Sequence, residues 1–400
     1  MTAEPANQAR FDYQPRTRIV FGENQADRVG ELAADLGGTR VVLVTDAGIL
    51  AAGHADRVRQ SLAERVATVM VFSEVRENPT TLDVERCVVM AREMRADLIV
   101  GLGGGSSMDT AKGCNFLLTN GGRMRDYWGV GKASKPMLPF IAIPTTAGTG
   151  SECQSAALIA DEETHQKMAC LDPKAAARIA ILDPLLTLSQ PPRVTALTGI
   201  DAIAHAVETA VTTRRNPLSL MHSREAFRLL MPAFERVLSH PGDIIARGRM
   251  LLGAALAGSA IEQSMLGAAH AAANPLTARY GMAHGQAVGM MLPLVVQFNA
   301  RDQAARLAYA ELVSDPQAAS LKGSAEEVAS KLIARLQYLL RLAGLPQSLA
   351  GCGITGADIN GLAEDAARQW TATFNPRPTT SADFAALYTA ACEPRGDGCW

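Results

Sequence analysis

Residues 96–112 read ADLIVGLGGGSSMDTAK. The apolar run of Leu98, Ile99 and Val100 enters three consecutive glycines, Gly103, Gly104 and Gly105, then Ser106 and a stretch of helical pattern. A strand that stops in glycines and restarts as a helix offers backbone amides and a helix N-terminus to an anion, the setting in which proteins bind phosphate. The spacing departs from the common dinucleotide fingerprint. Counting from Gly101, that pattern requires glycine at 106, where Ser106 stands, and the usual acid about 20 residues downstream has no clear counterpart. Asp46 instead closes an earlier run, VTDAG (44–48). An acid at a strand's carboxyl end suits a ribose diol and repels the 2′-phosphate of NADP. The same residue serves equally well as a helix cap, and the glycines as a tight turn.

Outward from this stretch the pattern repeats. Residues 39–48, 66–75, 139–148 and 177–184 read as further buried strands, and 49–64, 80–95 and 106–119 as helices. Continuous rather than alternating hydrophobicity, interleaved with helices, predicts an α/β domain with a parallel sheet covered on both faces. IPTTAGTGSE (143–152) follows one of these strands, and Thr145, Thr146, Thr149 and Ser151 are candidate hydrogen-bonding partners for a nucleotide at the same sheet edge. From about residue 190 the β-branched runs give way to Ala- and Leu-rich helical periodicity. The predicted division is 1–188, a dinucleotide-binding α/β domain, and 189–400, an all-helical metal and substrate domain.

Composition narrows the function classes. The 400 residues are 48% hydrophobic and 20% charged, with a net charge of −2. No basic field calls for nucleic acid or an anionic membrane. Seven scattered cysteines without a C-x-x-C pair argue for reduced thiols rather than a disulfide framework or a zinc–thiolate site. The N-terminal stretch has no apolar segment of signal-peptide type, and no uncharged apolar run reaches the roughly 18–20 residues of a membrane span. A soluble cytoplasmic chain is expected, with the tail PRGDGCW (394–400) mobile or used in assembly.

GIDAIAHAVE (199–208) sets Asp201 and His205 four residues apart on what is otherwise an apolar helix face. Two further histidines, His270 and His284, lie in GAAHAAANPLTARYGMAHG (267–285), with Pro275 and Gly281 expected to break the segment between them. A buried unpaired carboxylate is costly, and neutral imidazoles do not compensate it. A divalent cation does, and one Asp with three His suits Fe²⁺, Zn²⁺, Mn²⁺ or Co²⁺. The alternative is a buried ion pair or i,i+4 hydrogen bond, with the other histidines ordinary core residues. His54 and His165 sit in polar surroundings, while His222 and His240 look like helix-face or helix-end residues, and none is assigned a role.

GGGSSMDTAK, IPTTAGTGSE, GIDAIAHAVE and the His270/His284 segment together resemble the iron-containing, metal-dependent (group III) alcohol dehydrogenases, and the likeness extends to NPRPTTSADFAALY (375–388). The resemblance implies an N-terminal dinucleotide domain, a C-terminal helical domain, and an active site in the cleft between them. It implies Asp201, His205, His270 and His284 as metal ligands, Fe²⁺ first and Zn²⁺ second. It places Gly103, Gly104, Gly105 and Ser106 at the pyrophosphate and Thr145, Thr146 and Thr149 near the nicotinamide. Lys167 would contact the cofactor ribose, and Asp46 would favour NAD. The implied reaction is reversible hydride transfer between the nicotinamide and a small alcohol or carbonyl, in a homodimer or larger assembly. One position departs: many members carry a histidine four residues after the third ligand, and here it is Asn274, which cannot titrate. Ile261, Met265 and Trp370 are candidates to line the substrate pocket. Competing readings are a glycerol-dehydrogenase-like or maleylacetate-reductase-like oxidoreductase, the dehydroquinate-synthase branch with its Glu/His/His metal set, and a non-catalytic nucleotide-binding or assembly protein.

Overall fold

The computed structural model describes residues 10–164, 166–315, 322–354, 356 and 358–393. His165 and the 394–400 tail lie outside the described residues. The described residues form two compact units, one within 14–190 and one within 191–393 together with 10–13.

The first unit runs β1 (Arg18–Phe21), α1 (Val29–Asp35), β2 (Arg40–Val44), α2 (Ala47–Ala51), α3 (His54–Ala63), β3 (Thr68–Phe72), α4 (Thr81–Glu93), β4 (Leu98–Gly103) and α5 (Gly105–Asn120). It continues with β5 (Gly129–Val130), β6 (Phe140–Pro144), β7 (Ala156–Ala160), β8 (Lys167–Leu171) and β9 (Ile179–Leu182). Six strands form a parallel sheet in the order β1-β9-β6-β4-β2-β3. Strand alternation divides the core. Val42, Val44, Ile99 and Phe140 face one way, towards Cys87 and Val88 of α4 and Ala111 and Cys114 of α5. Val41, Leu43, Leu98 and Val100 face the other, towards Val29 and Leu32 of α1 and Val58 and Leu62 of α3. After β2 the chain moves to one side of the sheet, to β3; after β4 it moves to the other, to β6. The carboxyl ends of β2 and β4 therefore flank the topological switch point, where open α/β sheets bind ligands.

In this unit one expectation needs correction, and two features lie outside those expected. The helix expected over 49–64 is two, α2 and α3, because Gly53 takes a left-handed φ of 81° between them. The sheet is not the only one: β7 and β8 form an antiparallel hairpin with β5 alongside β8. These strands, AALIA and KMACL, lack the β-branched runs that mark the others. Strand β1 (RIVF) was also not foreseen.

The second unit is helical throughout its described residues: α6 (Pro192–Thr209), α7 (Pro217–Ser239), α8 (Ile244–Ser264), α9 (Ala268–Tyr280), α10 (His284–Asn299), α11 (Gln303–Leu312), α12 (Ala325–Leu342), α13 (Ile359–Ala367) and α14 (Ser381–Cys392). Glycines let these helices approach closely. A Cβ at Gly199 of α6 would meet Phe234 of α7 at 2.5 Å, and one at Gly253 of α8 would meet Leu230 of α7 at 2.7 Å. Helix α8 has the length and hydropathy of a membrane span, but 67% of that stretch is buried. Pro275, expected to break the chain, lies within α9 instead; the helix forgoes one backbone bond and ends at Gly281, whose left-handed φ of 63° serves as the C-cap.

Candidate metal centre and nucleotide loops

Helix α6 buries one face almost completely, and Asp201, His205 and Glu208 lie on it, each 3–4% exposed. Helix α9 brings in His270 in its first turn, and α10 begins at His284. The three imidazole Nε2 atoms converge on one oxygen, Asp201 Oδ1: His205 at 3.5 Å, His270 at 3.4 Å and His284 at 3.8 Å. The His205 and His270 rings stack with centroids 4.8 Å apart, and His284 tilts against His270 at 5.3 Å. Asp201 Oδ1 and His270 Nε2 are buried and have no hydrogen-bond partner among the described residues.

These separations suit shared coordination better than hydrogen bonding. Ligand atoms about 2.0–2.2 Å from one tetrahedral cation lie roughly 3.3–3.6 Å from each other. Among the described residues, Asp201, His270 and His284 present donors that all lie within 4.8 Å of one another. Burial by itself would raise the Asp201 carboxyl, but His205, His270 and His284 around it hold it well below the usual carboxylate range. Burial would likewise lower His270, yet the Glu208 and Asp201 carboxylates push it up to about 9. The donor set thus fits a divalent cation, which would replace protons as the compensating charge. His284 leaves 32% of its side chain accessible, so it is the least buried of the four side chains.

Glu208 is the residue that sequence reasoning passed over, although it ends the GIDAIAHAVE stretch. One of its carboxylate oxygens accepts the Ala269 amide at 2.8 Å, and the other hydrogen-bonds His270 Nδ1. The available signal was its spacing, seven residues after Asp201 and three after His205, which sets all three on one helix face.

In the first unit, β4 and β6 pair so that Gly103 lies opposite Pro144, and the Thr145 amide donates to the Gly103 carbonyl at 2.9 Å. This brings the glycine loop and the threonine loop together. Gly103 has φ 143°, and a Cβ there would meet Ser107 Oγ at 2.4 Å; a Cβ on Gly105 would meet Thr149 Cγ2 at 2.9 Å. Gly103 and Gly105 are therefore required by close packing alone. Helix α5 starts at Gly105, with Ser106 following, and Gly104 as its N-cap has no side chain to occupy the first amides. Asp46 caps α2 by accepting the Ile49 amide at 3.0 Å through Oδ1, while Oδ2 lies 3.3 Å from where a Gly103 Cβ would be. Asp46 thus caps a helix at the switch point beside the glycine loop. Thr146 lies over Gly104. Lys167 opens β8, exposed, and acts electrostatically on Asp109.

Beneath these loops is a buried charged group that the sequence did not mark. Lys112 of α5, 1% exposed, donates to the Ser151 carbonyl at 2.6 Å, Ser151 Oγ at 2.8 Å and the Ala156 carbonyl at 2.9 Å. It pins the segment after the threonine loop to α5. Burial pushes Asp109 up to about 6 and Glu152 up to about 7. Of the suggested pocket residues, Ile261 is buried in α8, Met265 forms its C-cap with a positive φ of 65°, and Trp370 is exposed, edge-on to Phe374 at 5.6 Å.

Two family models account for most of the chain: "Iron-containing alcohol dehydrogenase" over residues 15–184 and "Fe-containing alcohol dehydrogenase family, C-terminal" over residues 195–392. Alcohol dehydrogenase 4 of Schizosaccharomyces pombe is 34% identical over 372 residues, covering 93% of this chain and 87% of its own. The NAD-dependent methanol dehydrogenase of Bacillus methanolicus is 32% identical over 370 residues, covering 92% and 96%. A crystal structure of a 1,3-propanediol oxidoreductase superposes with a TM-score of 0.91 at 31% identity, covering 96% of this chain and all of that one. With matching models over both units and relatives above 30% identity along nearly their full length, this chain belongs to the iron-containing alcohol dehydrogenase family.

Proposed function

We propose that this oxidoreductase is NAD-linked and metal-dependent, interconverting a small alcohol and its carbonyl compound by hydride transfer to and from the nicotinamide. The observation that carries the reading is the convergence of His205, His270 and His284 on the otherwise unbonded Asp201 Oδ1. A divalent cation bound there, Fe²⁺ first and Zn²⁺ second, supplies Lewis acidity toward an alcohol or carbonyl oxygen. The four side chains hold that position from three helices, which limits their rearrangement. The uncapped start of α5 at Gly103, Gly104, Gly105 and Ser106 receives the pyrophosphate, and Asp46 at the switch point favours NAD. Thr145, Thr146 and Thr149 line the same edge, and Lys167 contacts the cofactor ribose. NAD is supported further by the Bacillus methanolicus relative, which is named for it.

The same reading assigns the nucleotide to residues 1–188 and the metal and substrate to 189–400. It takes the chain as a cytoplasmic homodimer or larger assembly; six free thiols among the described residues agree with a reducing compartment. The test is an alcohol and aldehyde panel with NAD(H) and NADP(H) on metal-analysed protein. Chelation is expected to abolish turnover, and a divalent cation to restore it with NAD(H) preferred. Full turnover in protein verified as metal-free overturns the reading.

A further inference from the structure

The buried end of GIDAIAHAVE has a task that the metal donors alone do not explain. Glu208 belongs to α6, yet both its oxygens are engaged by α9: one accepts the Ala269 amide at 2.8 Å and the other bonds His270 Nδ1. The adjacent amide, Ala268, donates to Asn375 Oδ1 at 3.2 Å. Asn375 is held in turn, its Nδ2 donating to Asn299 Oδ1 at 2.7 Å and to the Arg377 carbonyl at 2.7 Å. Asn299 donates to the Tyr309 hydroxyl at 3.2 Å. The residue before α9 must be small for this to form, since a Cβ on Gly267 would sit 3.0 Å from Asn375 Oδ1 and 3.1 Å from Glu208 Oε1. Two side chains from distant segments thus cap successive amides at the start of α9, and only Glu208 also touches the imidazole.

A carboxylate only accepts hydrogen bonds, so the proton of a neutral His270 must sit on Nδ1 and the Nε2 lone pair must face Asp201. We propose that Glu208 is the positioning residue that fixes the tautomer and ring orientation of His270, and that Asn375 holds the helix end at which it does so. This rests on the metal-centre reading above. Glu208→Gln keeps the shape but cannot keep both bonds. With its amide nitrogen toward His270, it donates to Nδ1 and moves the ring proton to Nε2, where it blocks coordination. With the nitrogen toward Ala269, two donors face each other.

The test uses the full chain and Zn²⁺ alone, with affinity measured by chelator competition and histidine protons observed by ¹⁵N-resolved NMR of the zinc-loaded protein. Wild type is expected to bind zinc with a His270 proton on Nδ1. Glu208→Gln is expected to bind about 10- to 100-fold more weakly. Asn375→Ala, which removes a cap without touching His270, is expected to lower the melting temperature while changing zinc affinity about twofold or less. A zinc-loaded wild type with the His270 proton on Nε2 overturns the proposal without any variant, as does wild-type zinc affinity in Glu208→Gln. An affinity loss in Asn375→Ala as large as in Glu208→Gln assigns the effect to helix placement and overturns it too. In the two variant cases the metal centre itself stands, whereas a His270 proton on Nε2 also removes His270 from the donor set. A wild type that binds no divalent cation removes both readings.

Discussion

Asn274 is one turn of α9 beyond His270 and donates to Gln369 Oε1 at 3.0 Å. An amide so engaged holds its neighbour in place but carries no proton to or from an alcohol. Wild type is therefore expected to show no inflection in kcat/KM from this position. Asn274→His is expected to introduce one near pH ~6.5, changing kcat/KM by up to about tenfold between roughly pH 5.5 and 7.5. Asn274→Gln should leave the profile unaltered. A His variant whose profile superposes on wild type would put residue 274 out of reach of the reacting proton. The Asp201/His205 pair was legible at this scale because Asp and His are rare on apolar helix faces and i,i+4 spacing is local, whereas the approach of His270 and His284 to Asp201 was not in the spacing. Glu208 was not, because its partners, Ala269 and His270, are 61 and 62 residues away. Lys112 escaped for the same reason, its three acceptors lying beyond the next strand.

Between helices, the placement of His284 depends on a glycine. A Cβ on Gly285 would come 2.2 Å from the Leu197 carbonyl oxygen of α6 and 2.8 Å from its carbon. Those are backbone atoms and cannot step aside. One turn further along α10, a Cβ on Gly289 would meet Ile200 Cγ2 at 2.5 Å. Helices α6 and α10 thus meet across two glycines, which brings His284 of one to Asp201 of the other. Gly285→Ala is expected to push α10 away, lowering stability by about 1–3 kcal/mol. It should also weaken zinc binding, because His284 adjoins the point of contact; thermal melts and zinc titration check the two effects separately. Unchanged zinc affinity in a destabilised Gly285→Ala would show that His284 is positioned by something other than this crossing. Such crossings are hard to read from a sequence. GAAHAAANPLTARYGMAHG suggested a break at Pro275, but the helix runs through it, because a proline inside a helix costs one bond and tertiary packing can retain the turn. The β-branched strands 39–48 and 96–105 announced themselves. The alanine-rich β7 and β8 were recognisable only once paired with each other.

Across the whole molecule, individual buried carboxyl groups have opposite consequences for stability against pH. In the helical unit Asp201 is held low by its imidazoles, so its contribution is present above the ordinary aspartate range and is lost only in acid. In the α/β unit two buried carboxyl groups run the other way. Asp109 is raised from 3.8 to about 6 and Glu152 from 4.5 to about 7, both through burial and despite the nearby Lys112. Between about pH 4 and 7 the folded chain therefore holds protons that the unfolded chain has released. More protons bound in the folded state means that stability falls as pH rises, by on the order of 1–3 kcal/mol for each group once pH passes its folded value. Glu152 permits the cleaner test, since its Oε1 has no hydrogen-bond partner among the described residues and an amide can take its place. Comparing Glu152→Gln with wild type at each pH cancels the contributions of Asp201, His270 and Asp109. Denaturant melts are expected to show the variant gaining on wild type from pH 5 to pH 8, with the gain levelling off above about 7.5. If the difference between the two proteins is the same at both ends of that range, Glu152 is ionised in the folded state throughout, and the charge of Lys112 outweighs the burial of its neighbour.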